Sequence, residues 1–306
     1  VVGAVIPVMS LRRVRLTREV PSAVHRGEPY AITQRIENLN RFVPAISVRV
    51  KSASEEDGDG GYVSAVRARG KTTVRIEHVV ARRGVYAFPP MSALSAFPLG
   101  LFERRVRVDD GAAITVYPRI QAVRMGMLEQ MHGTGDTPKL RRGDGDEFFS
   151  LRDYMMGDDP RKIAWKVSAR VGHLIVRELE PSTSHNIVVL LDTVRPPGVD
   201  HFDDLFEEEV DLAASLAVSF LNRQYAVGLL TPEGSEPIGE GNSHATKILE
   251  MLAGVEIRND GRDDWMDSEM TAGAGVVYVS GNPANWGAPS GVKGVKFVDP
   301  REVIRA

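Results

Sequence analysis

The chain has 306 residues, of which 42% are hydrophobic and 26% are charged, a composition typical of a globular protein. Because one hydrophobic core rarely grows beyond about 250–300 residues, the length favours two domains. The absence of cysteine excludes disulfides, zinc–thiolate sites and thiol nucleophiles. Residues 1–118 carry 18 basic and 11 acidic side chains, whereas the remainder carries 20 and 30. This asymmetry fits a protein that lies near an anionic surface and offers its far end to a partner.

The chain begins with an apolar stretch, VVGAVIPVM, which is followed at once by Arg12, Arg13, Arg15 and Arg18. This stretch is too short to cross a bilayer, which needs about 20 residues in a helix. It is either a disordered or strand-forming end or, as we favour, the stump (1–13) of a membrane helix whose basic flank faces the cytoplasm. The arginines alternate with apolar residues and no recognition helix accompanies them, so we expect no nucleic-acid binding.

Residues 14–118 have the pattern of short β-strands. Apolar and polar side chains alternate in residues 30–40, 45–52 and 72–81, and turn-forming residues close each segment. Strands at this spacing, with no helix between them, predict an immunoglobulin-like β-sandwich. The acidic stretch SASEEDGDGG lacks the ligand spacing of a calcium loop, so we expect a solvated hairpin tip.

Residues 119–180 form a linker and a charged block that also carries aromatic side chains. The segment LRDYMMGDDPRKIAWKVSAR mixes both signs of charge with tyrosine and tryptophan. Charges that are half-buried against aromatic rings must be paired, because an unpaired buried charge costs about 3–5 kcal/mol. We therefore expect a structural ion-pair network in which Trp165 is largely buried. The residues of this signature block are Arg152, Asp153, Tyr154, Gly157, Asp158, Asp159, Arg161, Trp165, Lys166 and Arg170.

The same segment closely resembles the signature of a bacterial family, domain of unknown function 58. The resemblance is strong over residues 141–192 and holds only in pattern in the flanks. It implies a von Willebrand factor A-like domain, N-terminal membrane helices and a MoxR-type AAA+ ATPase as partner. The partner and the membrane helices follow from the resemblance and not from the chemistry of a site.

Residues 181–306 change to alternating strands and helices. The run NIVVLLDTV (186–194) is continuously apolar, as in a strand buried on both faces of a parallel sheet. A helix is predicted over 205–221, with a capping box from Asp204 to Glu207 and an acidic face turned to solvent. Further strands are predicted at 225–232, 275–281 and 295–300, and a second helix at 244–253.

The predicted fold class is therefore α+β with two domains. An N-terminal immunoglobulin-like β-sandwich is followed by a doubly wound α/β domain, which the resemblance identifies as von Willebrand factor A-like. The predicted segments are a membrane-proximal stump, the sandwich, the linker with the signature block, and the α/β domain, at residues 1–13, 14–118, 119–180 and 181–306.

Asp192 ends the first strand of the α/β domain, at the edge where open α/β sheets bind ligands. In A-like domains a D-x-S-x-S run holds a metal ion there, but this chain has Val194 and Pro196 at the hydroxyl positions. One carboxylate is too few for a hard cation, so we expect a degenerate, metal-free site with Asp192 hydrogen-bonded to a turn. The same edge is a candidate docking site for a partner; its loops are 192–203, 231–242 and 280–287, and its candidate residues are Asp192, Glu233 and Trp286.

No enzyme motif is complete in this sequence, so no catalytic residue or cofactor is assigned. The favoured function is a non-enzymatic assembly factor at the cell membrane, with its soluble part facing the cytoplasm and a protein partner of the MoxR type. One alternative is a metal-dependent hydrolase or phosphoryl-transfer enzyme that uses the carboxylates of the signature block. Another is an extracellular adhesion module, for which an intact metal site would have been expected.

Overall fold

The computed structural model is a mixed α+β structure rich in strands. Its described residues contain 17 strands, three α-helices and one short 3-10 helix. The prediction of an α+β chain is thereby confirmed. The residues described are 11–52, 61–97, 103–123, 148–155, 163–179, 186–195, 202–259, 269–271, 274–280 and 295–298.

The strands and helices follow one another along the chain in a strand-rich first part and a mixed second part. The first part contains β1 Val14–Glu19, β2 Ala23–His25, β3 Pro29–Asn38, β4 Ala45–Ser52, β5 Gly61–Val66, β6 Lys71–Val79, β7 Gly84–Ala87, β8 Met91–Ser95, β9 Arg104–Val108 and β10 Ala113–Tyr117. The second part contains β11 Phe148–Asp153, α1 Trp165–Val171, β12 Ile175–Leu179, β13 Asn186–Leu191, α2 Phe202–Leu221, β14 Ala226–Thr231, β15 Gly234–Gly239, α3 Gly241–Gly254, β16 Gly275–Val279 and β17 Val295–Val298.

The chain consists of two compact units. Unit 1 comprises Val1–Ile120 and Leu249–Val255, and unit 2 comprises Gln121–Ile248 and Glu256–Ala306. Strands β1 to β10 belong to unit 1, and β11 to β17 belong to unit 2.

Unit 1 is built from sheets that share hydrophobic cores. The sheets β1-β3-β6 and β5-β4-β8-β9 pack against one core, because alternate side chains along their strands point inward. Ile36 of β3, Val48 of β4 and Met91 of β8 are fully buried there. A third sheet, β2-β10-β7, contributes Ile114 and Val116 to a second core. The predicted alternating strands at 30–40, 45–52 and 72–81 are confirmed as β3, β4 and β6.

Arg18 of β1 is an internal cation of unit 1. Its guanidinium donates hydrogen bonds to both carboxylate oxygens of Asp110, with 3.1 Å from Nε to Oδ2, and lies 4.9 Å from the centre of the Phe88 ring. The Arg18 side chain is only 2% exposed. Burial raises the pKa of Asp110, but the hydrogen bond and charge of Arg18 outweigh it and lower that pKa below its ordinary value. Arg18 therefore stabilises the fold of unit 1 and does not serve to bind an external anion.

Unit 2 contains a five-stranded sheet in the order β15-β14-β13-β16-β17. The central strand β13 pairs in parallel with β14 and β16, and β16 pairs in parallel with β17. Every residue of β13 after Asn186 is buried, which explains its continuous apolar sequence. The predicted parallel strands of this part of the chain are therefore confirmed.

Helix α2 packs on this sheet through one apolar face. Phe206, Val210, Ala213 and Phe220 recur at helical spacing and are all buried. The helix begins at Phe202, so Asp204 lies in its first turn and the predicted capping box was misplaced. Aromatic residues at positions 202 and 206 extend the buried face one turn earlier, where the two rings stack at 6.0 Å.

The segment expected to be a mobile docking loop, 231–242, contains strand β15 instead. Strand β15 pairs antiparallel with β14, with Thr231 opposite Gly234, so Pro232 and Glu233 form a two-residue hairpin turn. Its glycines and proline made the segment look like a loop, although a short hairpin needs the same residue types. This strand forms one edge of the five-stranded sheet.

The expected membrane stump, at residues 1–13, falls mostly outside the described residues, which begin at 11. Within the described part of the chain, none of the helices combines the length and the apolar character needed to cross a membrane. The acidic, glycine-rich stretch after β4 also lies largely outside the described residues.

Candidate functional site

Asp192 lies immediately after β13 and its side chain is buried. One carboxylate oxygen accepts a hydrogen bond of 3.0 Å from the backbone N–H of Val194. The other accepts a hydrogen bond of 2.8 Å from the hydroxyl of Tyr278, on the neighbouring strand β16. Asp192 therefore hydrogen-bonds the backbone two residues further along the chain, and the bond to Tyr278 was not predicted from the sequence.

Tyr278 is fully buried and acts as a neutral donor to Asp192. Burial is the largest cause that raises the pKa of Tyr278 far above its ordinary value, followed by the charge and hydrogen bond of Asp192 and the charge of Glu209. A smaller effect, the hydrogen bond with Ser280, lowers it. The phenol therefore stays protonated and holds the carboxylate in place.

Glu209 corrects the expectation that the acidic face of helix α2 lies in solvent. Its side chain is buried, as is that of Asp211, whereas Asp204 and Glu208 are exposed. Glu209 follows Phe206 by three residues, so helical geometry places it on the buried face. The three-residue spacing from Phe206 to Glu209 therefore indicated burial, but the run of acidic residues led to the prediction of a solvent-exposed face.

Thr193 and Glu233 connect the end of β13 to the β14–β15 hairpin. The fully buried Thr193 donates a hydrogen bond of 2.9 Å to the carboxylate of Glu233. Arg195, next along the chain, pairs with Asp203 at 2.6 Å in the first turn of α2. The structure thus places Asp192 and Glu233 at one edge of the sheet, while the third candidate, Trp286, lies outside the described residues.

The side chains around Asp192 do not provide a suitable set of ligands for a divalent metal ion. Val194 occupies a hydroxyl position of the A-like motif, and both oxygens of the carboxylate already accept hydrogen bonds. Across the residues described, no group of three or more histidines and carboxylates is close enough to hold a metal ion. Hard cations require several oxygen ligands, so the absence of a tight metal site remains our prediction.

The signature block forms a small module of two strands and a helix. Strands β11 and β12 pair antiparallel, and α1 lies between them in the chain. The N–H of Ala164 donates to the carbonyl oxygen of Ile175 at 2.8 Å, and the hydroxyl of Ser168 accepts from the N–H of Ile175 at 2.9 Å. Ile163, Ala164, Ser168 and Val176 are buried, so they fill the inside of this module.

Trp165 is 63% exposed, and the prediction that it is buried was wrong. Ser168 is the buried residue of α1, and Ala164, four residues earlier and just before the helix, is buried as well. Trp165 is the first residue of α1, and its large side chain stays exposed while its small neighbours Ala164 and Ser168 are buried. Small residues at this spacing were the available signal for the buried face, since only they let helix and strand approach closely.

The charges of the module are also exposed in the part that the structure describes. Asp153 is paired with His173 at 3.0 Å, and their side chains are 79% and 58% exposed. Lys166 and Arg170 are exposed on α1. The buried ion-pair network expected of the block is therefore wrong for these residues. Arg152 lies in β11 opposite Val176 and Tyr154 is half-buried, while Gly157, Asp158, Asp159 and Arg161 lie outside the described residues.

Residues 150–276 match the family model described as "Protein of unknown function DUF58". The matched region runs from β11 to the start of β16 and so includes the module and most of the parallel sheet. The family resemblance inferred from the sequence is thereby confirmed.

A relative in Bacillus subtilis (strain 168), the uncharacterized protein YeaD, is 29% identical over 191 residues. The aligned region is 60% of this chain and 46% of that protein, so the chain spans about half the length of this curated relative.

Two solved structures are weakly similar to the chain. The CARDB domain of a Pyrococcus furiosus protein has a TM-score of 0.25 and 12% identity, covering 34% of this chain and 94% of that domain. A superoxide reductase (neelaredoxin) from Ignicoccus hospitalis has a TM-score of 0.19 and 14% identity, covering 36% of this chain and 85% of the reductase. TM-scores this low establish neither a common fold nor a common function.

Proposed function

We propose that this chain, which belongs to the DUF58 family through residues 150–276, is a non-enzymatic, membrane-associated assembly factor that acts with a MoxR-type AAA+ ATPase. In this proposal unit 1 is an immunoglobulin-like β-sandwich and unit 2 is a doubly wound α/β domain of the von Willebrand factor A type. Membrane helices upstream of the sandwich would hold the protein at the cell membrane, with both units in the cytoplasm.

The observation that carries the interaction function is the exposed apolar surface of the signature module. Met155, Trp165, Val171 and Leu174 are 69%, 63%, 46% and 43% exposed. They lie between residues 155 and 174, within α1 or in the segments beside it. Exposed apolar surface of this kind is a candidate interaction site, and tryptophan is among the residues that dominate binding energy.

The topology of unit 2 supports the A-like assignment. Four parallel strands with β13 at the centre, and α2 packed on them, are the arrangement expected of an open α/β sheet. At the carboxyl edge, Thr193 hydrogen-bonds to Glu233, and Arg195 pairs with Asp203 in the first turn of α2. We therefore keep this edge as a second contact surface within the proposal.

The alternative of a hydrolase that uses Asp153, Asp158 and Asp159 has less support. Such an enzyme needs carboxylates gathered in a pocket beside a metal or nucleophile. The side chain of Asp153 is instead 79% exposed and pairs with His173. An exposed ion pair of this kind is usual on protein surfaces.

The test is binding of the full-length protein to a MoxR-type ATPase from the same organism, measured by co-purification and by the rate of ATP hydrolysis. We expect a complex and a changed ATPase rate, with Asp153→Asn behaving as wild type. Metal-dependent hydrolysis by the protein alone, lost in Asp153→Asn, together with no ATPase binding, would refute the proposal.

A further inference from the structure

We propose that the outer side of helix α1 docks an acidic segment of a protein partner that inserts one large apolar side chain. The α1 surface is defined by Met155, Trp165, Lys166, Arg170 and Leu174. This inference rests on the proposed function and deepens it, because it names the surface and the chemistry of the partner.

The α1 surface is held on a firm support. Ile163, Ala164 and Val176 are buried, Ile163 forms a β-bridge with Val176, and Ser168 ties α1 to β12 through its hydrogen bond with the N–H of Ile175. The N–H of Tyr154, just after β11, donates to the carbonyl oxygen of Leu174, just before β12, at 2.9 Å. The outer side chains therefore project from an ordered frame, and binding would cost little ordering of the backbone.

The charges of the surface define the partner. Lys166 and Arg170 are four residues apart, so both lie on the same side of α1, and both are exposed. Trp165 stands beside Lys166 and is itself 63% exposed. A partner with carboxylates one helical turn apart, next to an apolar anchor, would satisfy both cations while covering the tryptophan. Tryptophan and arginine are enriched among residues that contribute most to binding.

A protein segment fits this surface better than a membrane or a nucleic acid. Lipid-binding basic clusters contain about 4–8 lysines and arginines, whereas α1 contains two, Lys166 and Arg170. Specific nucleic-acid binding commonly uses about 6–10 phosphate contacts, which this surface does not offer.

The first experiment measures binding of the chain to a labelled synthetic peptide of glutamate and leucine, by fluorescence anisotropy. We expect Trp165→Ala, and separately Lys166→Glu with Arg170→Glu, to weaken binding by at least about tenfold, as expected of residues that dominate an interface. Binding should also weaken as salt rises. A leucine–lysine peptide should not bind.

Matched control variants come from unit 1. Tyr62→Ala removes an aromatic side chain of nearly equal exposure, 60%, and Arg105→Glu with Arg107→Glu reverses two exposed charges of β9. Neither control should change peptide binding. Because Trp165 and its neighbouring cations are exposed, all variants should retain the circular dichroism of the wild type and a free energy of unfolding within about 1 kcal/mol of it.

Several outcomes would overturn the inference. They are equal binding of the lysine peptide, no loss of binding in either α1 variant, Trp165-dependent binding to anionic phospholipid vesicles, and self-association abolished by Trp165→Ala, which would make the occupant a second copy.

Binding of the ATPase to the same variants separates this inference from the proposed function. If the ATPase fails to bind but the peptide binds through Trp165, only the proposed function fails. If the ATPase binds equally well to both α1 variants, only this inference fails.

Discussion

The buried carboxylate of Asp192 is held by one side chain whose removal has a defined effect. Tyr278→Phe deletes the hydroxyl that donates to Asp192 and leaves a buried acceptor with one bond fewer. We expect the free energy of unfolding to fall by about 1–3 kcal/mol, the usual cost of losing a partner of a buried polar group. Urea unfolding measures this. Tyr62→Phe, on an exposed tyrosine, should change stability by less than about 0.5 kcal/mol.

The pH dependence of the same pair provides a second measurement. The folded pKa of Tyr278 lies above the unfolded value, so its contribution to stability is complete below about pH 10 and is lost as the pH rises beyond it. Above that pH the advantage of wild type over Tyr278→Phe should shrink by about 1.4 kcal/mol per pH unit. A difference that stays constant across this range would contradict the assignment of Tyr278 as a buried neutral donor.

The same residue-scale geometry predicts that Asp192 binds no divalent metal tightly. Both carboxylate oxygens accept hydrogen bonds, from Val194 and from Tyr278, and a metal ion would have to displace them. Calorimetric titration with magnesium and manganese should show no micromolar site. A micromolar site that Asp192→Ala abolishes would show that the edge rearranges around the ion.

Trp165 is the residue at which structure and sequence pattern disagree most. Replacing a buried tryptophan with alanine costs about 3–5 kcal/mol, but an exposed one contributes little to stability. We therefore expect Trp165→Ala to lower the free energy of unfolding by less than about 1 kcal/mol, measured in urea. Ile163→Ala, which empties the inside of the same module, is the contrasting variant and should cost about 2–5 kcal/mol.

At the scale of elements, the ion pair of Arg18 and Asp110 joins β1 to the segment after β9. Asp110→Asn would leave the guanidinium of Arg18, which is only 2% exposed, without its counter-charge; because the Asp110 side chain is itself 21% exposed, we expect a cost of about 1–3 kcal/mol. Glu19→Gln breaks the exposed pair with Arg35, at 3.0 Å, and should cost less than about 1 kcal/mol. Equal effects of the two variants in urea unfolding would show that Arg18 finds another partner.

Acid should weaken the same link between elements. The folded pKa of Asp110 lies below its unfolded value, so its contribution is present above about pH 4 and is lost as the pH falls through the folded pKa. Asp110→Asn should remove this part of the acid sensitivity. An unchanged slope of stability against pH below about pH 4 would assign the acid sensitivity to other carboxylates.

Elements with a strong period were readable from the sequence, and elements without one were not. β13 was predicted from an unbroken apolar run, because both of its faces are buried. β3 was predicted from the alternation of apolar and polar residues, because only one of its faces is buried. β15 carries the sequence GSEPIG on an edge of the sheet, where one side faces solvent and little selects for apolar side chains. Its strand character follows from pairing with β14, which the local sequence does not contain.

For the candidate site, single positions were predictable only where geometry leaves one choice. Asp192 follows a buried strand, so its place at the carboxyl edge of the sheet followed from the pattern. The depth of Glu209 and the exposure of Trp165 depend on which side of a helix meets its neighbour. Tertiary packing decides which side that is. A charged residue is expected at the surface and a tryptophan in the core, and both expectations were wrong here.

At the scale of the whole molecule, the uneven charge of the chain predicts electrostatic attraction to an anionic membrane surface. Residues 1–118 carry the basic excess, 18 against 11, and Arg105 and Arg107 of β9 are exposed there. Each basic residue near an anionic surface contributes about 1 kcal/mol, and screening by salt removes most of this attraction. We expect the chain to sediment with phosphatidylserine vesicles at low salt and to be released as salt rises.

Charge-reversal variants show which of the two units binds the vesicles in that experiment. Arg105→Glu with Arg107→Glu should weaken vesicle binding by at least about tenfold, because two attractive charges become repulsive. Lys166→Glu with Arg170→Glu, in the acidic second part of the chain, should leave vesicle binding unchanged, since that surface is assigned to a protein partner. If the α1 variant releases the chain from vesicles and the β9 variant does not, the orientation with unit 1 towards the membrane is wrong. If neither variant nor the salt concentration changes vesicle binding, the charge asymmetry does not direct this protein to an anionic surface.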